Sequence, residues 1–125
     1  MVKFRIILPM LFLTFSVVVW PTAAQILEED RGSYLDQQSP AARFAIESAE
    51  IAGGATYCEI EPDDVETYIN QAHAEMAALA ADEVDLVVSR IVFSNIYTHT
   101  IARGPDQGCD AYGLYFLAQA NRITR

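Results

Sequence analysis

Apolar residues in the second half of the chain recur at helical rather than alternating spacing. Val65, Tyr68, Ile69, Ala72, Met76 and Leu79 follow an i, i+3, i+4, i+7 order, while Glu66, Thr67, Asn70, Gln71 and Glu75 occupy the other side. A stripe of that width predicts an amphipathic helix with one buried face. Residues 83–100 are apolar nearly all round, with Val84, Leu86, Val87, Val88, Ile91, Val92, Phe93, Ile96 and Tyr97. Their β-branched content would also suit a buried strand. Eighteen residues without a turn signal exceed the usual strand of about five or six, so a helix is expected. A helix with apolar residues on every side is expected at the centre of the molecule, covered by its neighbours.

Neither glycine nor proline occurs in residues 63–103. One straight helix over that stretch would be roughly 60 Å long. The chain carries only two cysteines, Cys58 and Cys109, one on either side of it. A disulfide between them requires Cα atoms within about 7 Å, so the chain must double back. The midpoint offers a place to turn: Asp82 can cap a second helix, with Asp85 three residues on. The expectation is a central helical hairpin closed at its open end by a Cys58 to Cys109 disulfide. Closing that loop contributes about 4 kcal/mol in the chain-entropy model, a large share of the net stability of a small domain.

Two further helices flank the hairpin. Ser39-Pro40 reads as an N-cap followed by proline in the first helical position, and Gly53-Gly54 as a stop. Between them Phe44 and Ile51 lie near Ala41, Ala45, Ala49 and Ala52, small residues that permit close helix approach. Residues 104–108 form a turn around Gly104, Pro105 and Gly108. After Cys109, an aromatic-rich segment with Tyr112, Leu114, Tyr115, Phe116 and Leu117 predicts a closing helix, with Asp110 near its start and Arg122 near its end suiting the helix dipole. The predicted class is all-α, a small single-domain bundle of about four helices over residues 39–125.

The N-terminal pattern differs in kind. Lys3 and Arg5 precede an apolar run of about fifteen residues, then Pro21-Thr22-Ala23-Ala24. This is the layout of a secretory signal peptide over residues 1–24, too short for a membrane span. Residues 25–38 are acidic and polar and read as a flexible arm. Export in turn favours a disulfide for the cysteine pair, since such bonds persist outside the reducing cytosol. The expected location is the periplasm or outside the cell, with no stable membrane insertion after cleavage.

Composition then narrows the partners. The whole chain has a formal charge of −9. Removing the leader leaves six arginines against seventeen acids, a charge of −11, and no lysine. A chain so poor in cations cannot displace phosphate counterions, which argues against nucleic acid and anionic lipid. A protein partner of unidentified kind is expected instead.

The chemistry available for catalysis is sparse. Both cysteines are committed to the disulfide, and no activated-serine motif is present. Glu66, His73 and His99 are the candidate metal ligands, but Glu66 and His73 are seven apart and lack the compact His-Glu-x-x-His arrangement. Glu59, Glu61, Asp63, Asp64 and Glu66 crowd together without the spacing of a calcium loop and suit a helix N-terminus. No cofactor is implied. The candidate binding face is aromatic: Phe93, Tyr97, Tyr112, Tyr115 and Phe116, side chains that a core of this size would also use.

In strong acid the mature chain would swing from −11 to +8, as the acids neutralise and both histidines gain protons. In general outline the layout resembles the small periplasmic acid-stress chaperones, exported helical domains with one long-range disulfide. This is a resemblance of architecture, with no motif shared residue by residue. The expected function is therefore a non-enzymatic binding or chaperone-like role in the cell envelope, acid-responsive in one form. The alternatives are a periplasmic inhibitor or immunity protein that neutralises a toxin or enzyme, and a metal-dependent enzyme or metal-binding protein.

Overall fold

A computed structural model describes residues 37–125. The expected leader and residues 25–36 of the arm lie outside the described residues. Four helices follow in order: α1 (Pro40–Tyr57), α2 (Pro62–Leu79), α3 (Glu83–Arg103) and α4 (Tyr112–Ile123). The class is all-α, a small helical bundle. Cys58 and Cys109 form the disulfide, with Cα atoms 5.4 Å apart, so the chain does reverse between them. The reversal falls at Ala80 to Asp82, between α2 and α3.

Side-chain caps start α1 and α3 where the sequence places them. The Ser39 hydroxyl accepts from the Ala42 N–H at 3.1 Å, and Pro40 follows it. Asp82 caps α3 by accepting from the Asp85 N–H at 2.8 Å. Asp85 reaches back, its Oδ2 accepting from the Ala81 N–H at 2.9 Å. Its Oδ1 accepts from the Ser39 hydroxyl at 2.6 Å, which ties the start of α1 to the start of α3. At the other end the Thr56 and Tyr97 hydroxyls are 3.0 Å apart. Helices α1 and α3 therefore run parallel, in register at both ends, and α2 returns antiparallel to them.

The centre of the molecule is α1, not α3. Helix α1 packs most extensively on α3 and then on α2, and it also meets α4; the two hairpin arms, α2 and α3, share only a thin seam. Ala41, Ala42, Ala45, Ser48, Ala49, Ala52, Gly53, Gly54 and Ala55 are all buried. On α3 only Ser89, Phe93 and Thr100 are buried. The expectation that the continuously apolar helix would be central is corrected. A hub must admit neighbours closely, which small side chains allow and a cover of branched ones prevents.

Gly53-Gly54 is likewise not a stop, since α1 continues to Tyr57. A Cβ on Gly53 would lie 2.7 Å from the Thr100 Cβ and 3.0 Å from the Tyr97 carbonyl oxygen. A Cβ on Gly54 would collide with the Tyr112 hydroxyl, which donates to the Ile51 carbonyl at 2.9 Å. The two glycines mark where α3 and α4 come closest to α1. The helix ends instead in a Schellman arrangement: Ile60 N–H donates to Ala55 O at 3.0 Å and Glu59 N–H to Thr56 O at 3.2 Å. Glu59 takes the left-handed position, φ +58°, which glycine usually fills.

Larger side chains fill the space around this slender hub. Val65, Tyr68, Ala72 and Met76 form the buried stripe of α2; Ile69 is half-buried, and Leu79 at the end of the expected stripe is exposed. Tyr68 meets Phe116 of α4 edge to face, ring centroids 5.3 Å apart.

Candidate binding surface

The five aromatic residues of the expected binding face do not assemble into one surface. Phe93, Tyr112 and Phe116 are buried, Tyr97 is half-buried, and Tyr115 is exposed. Four of them form two pairs, while Phe116 packs on Tyr68. Phe93 stacks on Tyr97 with centroids 6.0 Å apart and has His73 of α2 4.9 Å from its own ring. Tyr112 and Tyr115 pack edge to face at 5.4 Å on α4. The physical reason is the hub: a helix of alanine and glycine needs bulky rings from its neighbours to close the core. Burial pushes the Tyr112 phenol up to about 12, and raises that of Tyr68 as well.

The candidate metal ligands do not converge either. Glu66 and His99 are exposed on α2 and α3, whereas His73 is half-buried with an Nδ1 that has no hydrogen-bond partner. Among the described residues no three histidine, cysteine or acidic side chains are grouped so as to hold a metal ion. Burial, with Arg90 adding like charge, holds His73 below the usual imidazole value. Of the acidic run, Asp63 and Asp64 lie in the first turn of α2, where the helix dipole favours them.

Apart from Tyr57 and Tyr115, the large apolar side chains that reach solvent are aliphatic. Val84, Val87, Val88 and Ile91 are all exposed on α3, Val84 at 72%. Their spacing is i, i+3, i+4, i+7, a complete apolar stripe on the side away from the buried Ser89, Phe93 and Thr100. Leu114, at 77%, and Leu117 add a shorter exposed pair on α4. The α3 stripe was legible as a period, but in a helix apolar all round nothing distinguishes the covered face from the open one.

An unpartnered stripe on a rigid helix can receive an apolar ridge or groove of another protein. It has no groups for bond chemistry. No helix among the described residues is long and apolar enough to cross a membrane. Neither a family model, nor a curated protein, nor a solved structure matches this chain. The fold and surface together define a small disulfide-closed helical bundle with one exposed aliphatic helix face.

Proposed function

We propose that this is a small exported, non-enzymatic binding protein of the periplasm or extracellular space that engages a protein partner through α3. The observation that carries the reading is the solvent-facing stripe of Val84, Val87, Val88 and Ile91. Burying an aliphatic side chain contributes about 1.5–3 kcal/mol, so four of them can anchor a complex. The disulfide fits an oxidising compartment. The −11 charge of the processed chain favours a partner with a basic surround, which would be steered toward it. An inhibitor or immunity protein is one form of this role, with a single tight partner.

The test compares the protein purified after export with a Val87→Asp/Ile91→Asp variant, each immobilised and exposed to envelope extract at neutral pH. The parent should retain a basic partner that the variant loses, while both keep the same helical circular dichroism. Capture of the same proteins by both would exclude the stripe. Loss of a parent homodimer in the variant would assign the stripe to a second copy of the chain.

A chaperone-like, acid-responsive role is the second reading. It is favoured by the buried rings of Phe93, Tyr112 and Phe116, which would become available only if the bundle opened. It predicts increased binding of an apolar-surface dye below about pH 4, where the carboxylates neutralise. A flat response would remove it.

A further inference from the structure

Where the end of α1 meets α2 and α3, the surface forms a groove of about 530 Å³. That is within the range of about 300–1,000 Å³ typical of small-molecule sites. Its walls are apolar: Ile60 after α1, Pro62, Val65 and Ile69 on α2, and the Tyr97 ring on α3. The ring is held in place, since its hydroxyl is bonded to Thr56 and it stacks on Phe93. The charged side chains of the lining are Glu59 and Glu66, with no arginine or histidine among them.

We propose that this groove binds a small organic cation, an ammonium group carried on an apolar body. The hydrocarbon walls accept the body and disfavour a hydrated metal ion, which would have to shed water against them. The two carboxylates favour a positive head by charge complementarity. An anion of the same shape meets two like charges and no cation.

The position of Glu59 supports this assignment. Among the described residues it is the only non-glycine with positive φ. It stands in a helix-ending position that glycine fills without strain, so the carboxylate sits there against the backbone preference. Adjacent Cys58 is tied to Cys109, and the two Schellman bonds hold the turn, so the carboxylate projects from a fixed backbone. The proposal is independent of the α3 stripe and of any protein bound there.

The experiment uses the exported full protein and two probes that share one body, 4-phenylbutylammonium and 4-phenylbutyrate. Each is titrated at low salt while backbone amide shifts are recorded. The ammonium probe should shift amides around residues 59–69 and 96–98, and bind at least tenfold more tightly than the carboxylate. A Glu59→Gln/Glu66→Gln variant, which keeps both side-chain shapes, should lower the ammonium affinity at least tenfold with its helical dichroism unchanged. Equal affinity for the two probes, shifts confined to the α3 stripe, no binding at millimolar concentration, or an unaffected double variant would each overturn the proposal.

Discussion

Helices α1 and α3 lie parallel and in register, yet they divide the work of the fold in opposite ways. The buried positions of helix α1 are all alanine, glycine or serine, and they face several neighbours. Helix α3 has the valines and isoleucines, and leaves four of them in solvent. Of the three fully covered residues of α3, two are the small Ser89 and Thr100. The contrast shows that closeness of approach, rather than apolar content, selects the hub. The surplus apolar surface of α3 is what remains for a partner.

The largest expected effect comes from releasing the tie between the end of α1 and the turn that joins α3 to α4. A Cys58→Ser/Cys109→Ser variant should lose about 4 kcal/mol, as expected for a loop of about fifty residues, measured by urea unfolding. A loss below about 1 kcal/mol would mean the bundle is held by packing alone.

Next comes a matched pair across the comparison. Gly53→Ala should destabilise by about 1–3 kcal/mol, although alanine is the better helix former by about 1 kcal/mol, because its methyl meets Thr100 and the Tyr97 carbonyl. Val87→Ala should stay within about 0.5 kcal/mol of the parent. Similar values for the two would erase the distinction between hub and periphery.

Much of this architecture was legible in the sequence, for local reasons. The Ser39-Pro40 start, the Asp82 cap and the stripe from Val65 to Met76 each depend on neighbours within one or two turns. The disulfide followed from the count of cysteines and the expected compartment. What was not legible depends on contacts between distant segments. Gly53-Gly54 has the composition of a helix stop, and only Thr100, Tyr97 and Tyr112 reveal it as a crossing point. The five aromatics were a fair list of large side chains, but whether a ring lies inside is decided by how thin its neighbour is. No local signal shows that the Val84 to Ile91 face would be left open.

A smaller gain should follow at the end of α1. Glu59→Gly relieves a left-handed backbone and should stabilise by about 1 kcal/mol in thermal unfolding, and a loss would contradict the turn described. The finest effect concerns the seam between α2 and α3. His73 lies below its ordinary value of 6.5 through burial and then through Arg90, so the fold favours the neutral ring. Its contribution is therefore intact above about pH 6.5 and is lost as pH falls below that, where the unfolded chain binds the proton more readily. His73→Gln should flatten melting temperature between pH 7 and 5; an unchanged slope would place the dependence elsewhere. Asp85 acts further down, held below 3.8 by the Ser39 hydroxyl and then the Ala81 N–H, so its support fades as pH drops beneath that value.

The most direct test of the division between the two helices is the thermal unfolding of Val87→Asp/Ile91→Asp. Placing two carboxylates on a solvent-facing stripe should leave the melting temperature within about 4 °C of the parent. A fall of more than about 10 °C, the mark of unpaired charge forced into a core, would show that this face of α3 is covered within the fold and is not the surface left for a partner.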